Sequence, residues 1–242
     1  MIVIKLGGSV ITKKSEYKSF NGAVVEKIVK TLKGINDNMI IVHGGGSFGH
    51  IKAREYGLPG YVSRETIRGM NVVHNDMADL NLKISEILYS NGIYNIPLPV
   101  SSLIYDNKKN YTVFKRYLEL GITPVSYGDT YIHGNQIGIY SGDNIAYDVA
   151  MRFHPSAVVF FSDVDGIYDK NPKTNPDARL LTHITEEFQH DEMITDVTGG
   201  IMNKYRKMRD ISDLGIPVYL INGLRPERIY NIGMDNFIGT VV

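Results

Sequence analysis

The chain has 242 residues, with 26 basic and 26 acidic side chains, no Cys, no Trp and 24 Gly. Zero Cys excludes disulfides, thiolate metal sites and Cys nucleophiles, and a net charge of zero argues against a dedicated nucleic-acid binder. An apolar content of 43% with 21% charged residues describes a globular chain, and no apolar run approaches the roughly 20 residues of a membrane span.

Ile2–Leu6 is a short, β-branched apolar run that predicts a buried strand, stopped by Gly7-Gly8. The start lacks a basic n-region and a small-residue cleavage site, so a cytoplasmic protein is expected. Apolar Val24, Val25, Ile28, Val29 and Leu32 predict a helix over 22–33, and Met39–Val42 a second buried strand. Ile67, Met70, Val73, Met77, Leu80, Ile84 and Leu88 step by three and four, which predicts a long helix over about 65–91. Strands follow at Tyr94–Leu98 and Ile122–Val125, with a helix at 112–120 between them. His133-Gly134-Asn135 reads as the turn of a hairpin joining Thr130–Ile132 to Gln136–Tyr140. Asn144–Phe153 predicts a helix, Ala157–Phe161 a buried strand, 200–213 a helix, and Val218–Ile221 and Phe237–Val241 the last strands. The stretch 169–178 reads as a polar loop. No linker divides the chain and no repeat is visible. Alternation of strand and helix implies one α/β domain with a mostly parallel sheet covered on both faces.

Glycines fall where such a fold binds ligands. Gly7-Gly8-Ser9, Gly44-Gly45-Gly46-Ser47-Phe48-Gly49, Ser126-Tyr127-Gly128-Asp129 and Ser162-Asp163-Val164-Asp165-Gly166 each follow a predicted strand. The carboxyl ends of parallel strands form the ligand crevice, and glycine there lets backbone N–H groups approach an anion. Several such turns in one chain indicate a ligand with more than one phosphate. Gly44, Gly46 and Gly49 satisfy G-x-G-x-x-G, but the second strand that the dinucleotide fingerprint needs is replaced by Tyr56-Gly57-Leu58-Pro59-Gly60. No Gly-Lys dipeptide occurs, which excludes a P-loop, and the His-Arg-Asp and Asp-Phe-Gly kinase signatures are absent. Lys5 sits inside an apolar strand, where it is costly without a compensating anion. Lys14 leaves the first glycine turn, and Lys204 lies in the first turns of a helix opened by Thr198-Gly199-Gly200. A solvated surface charge is the plain alternative for the latter two.

Together, Lys5-Leu6-Gly7-Gly8-Ser9, His43-Gly44-Gly45-Gly46, Ser162-Asp163-Val164-Asp165-Gly166-Ile167-Tyr168, Thr198-Gly199-Gly200-Ile201 with Lys204, and Gly239-Thr240 resemble the amino acid kinase family. The resemblance runs from residue 2 to residue 240. Within that family, Gly44–His50 and Gly7–Thr12, with Tyr140-Ser141-Gly142-Asp143 and Ser126–Asp129, are similar to the isopentenyl phosphate kinase group. The resemblance implies an αβα sandwich, usually a homodimer, with an acceptor-binding lobe over about 1–130 and an ATP-binding lobe over about 131–242. It implies transfer of the ATP γ-phosphoryl group to isopentenyl phosphate, in a variant mevalonate route of mostly archaeal type.

The roles it implies are these. Lys14 holds the transferring phosphoryl group, Lys5 and Lys204 hold β- and γ-phosphate oxygens, and Asp143 pairs with both of those lysines. His50, as an imidazolium, donates to the acceptor phosphate. Gly7, Gly8, Ser9, Gly46, Gly199, Gly200, Asp163, Asp165 and Tyr168 belong to the nucleotide site, with turn roles open for the two aspartates. Gly45, Gly49 and Gly128 border the acceptor phosphate, and Met70, Val73, Met77 and Ile139 are candidates for its apolar tail pocket, with core packing as the alternative. The remaining histidines, 43, 74, 133, 154, 183 and 190, have no metal-ligand spacing, so magnesium is expected to arrive on ATP oxygens and water. Lys13 stands where the family often has an acidic residue, which makes the phosphate edge more positive. A kinase of a carboxylate or of fosfomycin and a non-catalytic binder are the competing readings.

Overall fold

The computed structural model describes residues 1–106, 108–172, 174–184 and 199–242. Thr198 and His190 of the sequence reading lie outside the described residues.

Seven strands form the central sheet. From one edge to the other they are Thr240–Val241, Val218–Asn222, Ala157–Ser162, Ile2–Leu6, Met39–His43, Thr123–Tyr127 and Asn95–Pro99. All neighbours pair in parallel except Thr240–Val241, which is antiparallel to Val218–Asn222. Side chains alternate across each strand, and the two faces build two cores. Ile2, Ile4 and Leu6 pack with Val25, Ile28 and Leu32 of the helix Gly22–Leu32, and with Met77, Leu80 and Ile84 of Arg64–Ser90. Val3 faces the other way, toward Ile145 and Val149 of Gly142–Phe153 and Met208 and Ile211 of Gly199–Ser212. The result is the expected αβα sandwich. Lys5 shares the Val3 face, so its chain runs toward the helix Gly142–Phe153.

The long helix is opened by a capping box between Ser63 and Thr66. Gly142–Phe153 is capped by Ser141, whose Oγ accepts from the Asn144 N–H at 3.1 Å. The hairpin Asp129–His133 and Gln136–Tyr140 lies beside the sheet, joined by Gly134-Asn135 with Gly134 at φ +54°.

Two expectations change. The predicted last strand, Phe237–Val241, is strand only at Thr240–Val241, because the Phe237 ring turns in to meet Tyr219 edge-on at 5.4 Å. A ten-residue helix, Gly46–Glu55, also occupies the segment after the second glycine turn, where no helix was predicted.

Candidate active site

Four parallel strands end in one row, and the chain leaving each is hydrogen-bonded to a neighbouring strand end. Gly7 N–H donates to Phe161 O at 3.0 Å, Gly44 N–H to Leu6 O at 3.0 Å, Gly128 N–H to His43 O at 3.1 Å, and Gly223 N–H to Ser162 O at 2.8 Å. The loops therefore stand side by side. Two of them touch through backbone alone. A Cβ on Gly8 would lie 2.5 Å from Gly46 N, and Gly46 itself has φ +48°, a conformation that favours glycine.

Two cavities open on this row. One is lined by Gly7, Gly8, Ser9, Lys14, Gly46, Asp163, Tyr168 and Lys204, with Lys170, Asn171 and Pro172 from the polar loop. The other, of about 660 Å³, is lined by Gly44, Gly45, Gly49, Gly128, Ser141 and Asn144, and by apolar Ala53, Val73, Met77 and Ile139. Lys5, Gly8, His50 and Asp143 belong to both walls. Residues from six segments of the sequence are thereby brought together.

The charges in that shared wall are coupled. Lys5 is buried, and its Nζ lies 2.5 Å from Asp143 Oδ1 and 5.8 Å from the centre of the Phe160 ring. Burial by itself raises the Asp143 carboxyl, but Lys5 and Lys204 outweigh it and hold the group below the usual carboxylate range. Lys204 is also buried and does not make the ion pair with Asp143 that the resemblance implies. Its Nζ donates to Ser162 Oγ at 3.1 Å. Burial, and after it the neighbouring Lys5, push Lys204 down to about 8. A cation so destabilised is a ready partner for an incoming anion.

His50 departs from expectation in its charge. Its side chain opens to the cavities, yet the surrounding protein mass lowers its pKa, and Lys14, Lys5 and Arg54 lower it further. The imidazole of the free protein is thus biased to the neutral form, and the imidazolium has to be induced by an anion. Lys14 is exposed and lines the first cavity, whereas Lys13 reaches Glu16 at 3.7 Å and lines neither. His43, fully buried, is lowered to about 4 by burial and sits between Gly44 O and Asn81 Oδ1, stacked on Tyr127.

Other candidates fall elsewhere. Asp165 lines neither cavity; it accepts from Asn222 Nδ2 at 2.9 Å and Arg228 Nη1 at 2.5 Å, which ties its turn to the next strand. Asp163 accepts from Ser9 Oγ at 2.7 Å and so bridges two loops at the cavity wall. Met70 lines neither cavity and packs against the core instead, one turn before Val73. Gly199 and Gly200 open the helix that carries Lys204.

Several lining residues gave no sequence signal. Asn203, Arg206, Lys207 and Asp210 lie one face around from Lys204 and border the second cavity. Polar residues at helical spacing read as a solvated face, and only the row of loops turns them inward. Asp129, the residue after Gly128, also lines this cavity. It accepts from His74 Nδ1 at 2.6 Å, and its carboxyl is raised by burial against the opposing pull of His74. Among the described residues, no group of three His, Asp or Glu side chains is arranged to hold a metal ion, and no helix is long and apolar enough to cross a membrane.

Residues 1–222 match the amino acid kinase family. An isopentenyl phosphate kinase of Thermoplasma acidophilum is 48% identical over 244 residues, covering 100% of both chains. An isopentenyl phosphate kinase of Methanothermobacter thermautotrophicus is 33% identical, over 95% of this chain and 93% of its own. The crystal structure of the T. acidophilum isopentenyl phosphate kinase product complex superposes with a TM-score of 0.91 at 46% identity, covering 100% of this chain and 99% of that one.

Proposed function

Because the chain belongs to the amino acid kinase family, with isopentenyl phosphate kinases among its full-length relatives, we propose that it transfers the γ-phosphoryl group of ATP to isopentenyl phosphate. The observation that carries this reading is the shared wall: a cavity lined by Lys14, Asp163 and Lys204 and a cavity lined in part by Ala53, Val73, Met77 and Ile139 meet at Lys5, Gly8, His50 and Asp143. Two anions entering from opposite sides would meet there end to end. The first cavity takes the nucleotide. The apolar lining of the other, Ala53, Val73, Met77 and Ile139, suits a short hydrocarbon tail.

The acceptor is a phosphate monoester, whose oxygen is already anionic near neutral pH. It attacks the γ-phosphorus, the bond from that phosphorus to the β–γ bridging oxygen breaks, and ADP leaves with the electron pair. Charge is conserved without a proton transfer, so no general base is required. The barrier is repulsion between two polyanions, and catalysis is positioning plus electrostatic stabilisation. Lys14 reaches the cavity from a loop and follows the transferring group. Lys5 and Lys204 are fixed by burial and hold phosphate oxygens. Asp143 keeps Lys5 oriented. His50 donates to the acceptor phosphate and gains its proton as that dianion binds. Gly8, Gly45 and Gly46 offer backbone N–H groups. Magnesium fits as an ion carried by the ATP oxygens and water, since among the described residues Asp163 is the one carboxylate besides Asp143 lining the nucleotide cavity; when bound it would offset phosphate charge.

The acceptor lobe then spans about 1–130 and the nucleotide lobe about 131–242, in a cytoplasmic enzyme of isoprenoid biosynthesis. A homodimer is part of this reading, supported by exposed Leu82, Tyr89 and Tyr94 on and beside the outer face of the long helix; sedimentation velocity tests it. An ADP-release assay across isopentenyl phosphate, dimethylallyl phosphate, fosfomycin and acetylglutamate tests the activity. Turnover is expected with isopentenyl phosphate, and its absence there would overturn the proposal.

A further inference from the structure

Lys14 is carried by a loop, and a charge on a loop acts only if the loop is held. The segment from Thr12 to Phe20 closes on itself through a bridge between those two residues, and Lys13 N–H donates to Ser19 O at 3.2 Å. It is tied to the second glycine turn at its ends: Ser47 N–H donates to Thr12 Oγ1 at 2.9 Å, and Ser19 N–H to Ser47 Oγ at 3.3 Å. The tip of the loop is held differently, by one buried carboxylate. Asp76, 5% exposed on the helix Arg64–Ser90, accepts from Tyr17 Oη at 2.6 Å and pairs with Lys18 Nζ at 2.9 Å. Lys18 also reaches Asp79 at 2.9 Å and lies 5.8 Å from the centre of the Phe48 ring, while Lys52 lies 5.1 Å over the Tyr17 ring.

Phe48 and Lys52 flank His50 on the helix Gly46–Glu55, and Met77, which follows Asp76, lines the acceptor cavity. Lys18 has φ +56°, in the left-handed region that a non-glycine residue adopts only when its surroundings fix it. A buried carboxylate with two loop partners supplies that fixation.

We propose that Asp76 is a positioning residue: through Tyr17 and Lys18 it latches the loop onto the acceptor-binding helix and so sets Lys14 at the transferring phosphoryl group. This rests on the role given to Lys14 above. The latch joins the acceptor pocket to the charge on the loop, so kcat is the constant it governs and ATP affinity is not.

The test uses the full chain as wild type, Asp76→Asn, Lys14→Ala and the double variant, with Tyr17→Phe as a milder cut from the loop side. Asp76→Asn keeps the shape of the side chain and removes its charge. Its kcat is expected to fall about tenfold to a hundredfold, the scale of a small misplacement of a reacting group, with KM for ATP within about twofold. Tyr17→Phe should lose about threefold, one hydrogen bond's share of the same effect. Amide exchange over residues 13–19 should quicken in both. In the Lys14→Ala background, Asp76→Asn should change kcat by less than about twofold, because the group it positions is gone. An equal loss in both backgrounds, a kcat loss with unaltered exchange, or quicker exchange with unaltered kcat each overturns the latch. Wild-type kcat in Lys14→Ala alone would instead overturn the role of Lys14.

Discussion

The two cavities share a wall but are built by opposite means. The nucleotide side is lined by loops and by charges whose places are fixed from behind: Lys5 by Asp143, Lys204 by Ser162, Asp163 by Ser9. The acceptor side is lined by residues of four helices and one hairpin, among them the apolar Ala53, Val73, Met77 and Ile139. A reactive phosphate needs directed charge and a hydrocarbon tail needs only shape. Substitutions on the first side should therefore abolish turnover, and on the second should redirect it.

The sharpest break of that contrast is Lys204→Ala, expected to lower kcat about a hundredfold to a thousandfold, the scale of losing one preorganised group at a developing charge. Single-turnover phosphoryl transfer measures it, and wild-type turnover would dissolve the distinction. His50→Ala comes next, because His50 faces both cavities. It should lower kcat/KM for the acceptor about tenfold to a hundredfold, the weight of one charge-assisted hydrogen bond of ~1.5–3 kcal/mol. ATP affinity by calorimetry should stay within about twofold.

A pH profile separates the sides without substitution. Lys204, brought down to about 8, loses its proton as pH rises through that value, so kcat/KM for ATP should fall above pH 8. Saturating ATP stabilises the ammonium, so kcat should persist to higher pH, and Lys204→Ala should remove the limb. A kcat limb at the same pH as that of kcat/KM would count against Lys204 as the phosphate partner. The smallest effect belongs to the tail. Val73→Ala should cost the five-carbon acceptor about fivefold and admit longer prenyl phosphates, as expected for a change of one or two methyl groups in an apolar pocket. Met70→Ala, one turn away and off the cavity, should leave chain-length selectivity alone.

The sequence made the scaffold readable because its signals are local. The buried strands Ile2–Leu6, Met39–His43 and Thr123–Tyr127 are short runs that end at a glycine, and the long helix repeats at three and four. What stayed hidden has local causes as well. Gly46–Glu55 begins with Gly46 and Gly49, both poor helix formers, and it exists because Phe48 and Ala53 pack into the core against the long helix. The lysines were readable from their odd settings, Lys5 among β-branched residues above all. Asp165 and Met70 could not be placed from spacing, since a turn aspartate and a helix methionine look the same whether they face a cavity or a neighbour. Arg206 and Lys207 were invisible for the converse reason: a polar helix face tells nothing of the crevice beside it.

The contact between Gly8 and Gly46 fixes a length. With no side chain on either residue, the two glycine turns are separated only by the thickness of two main chains, and a Cβ on Gly8 would strike Gly46 N at 2.5 Å. If these turns seat phosphates as proposed, the spacing of the seats is set by backbone, which does not stretch, and not by rotamers, which do. On the proposed function the molecule would work as a gauge: it would accept pairs of anions whose reacting atoms fit that one interval, and a longer tail on either partner would leave the interval unchanged.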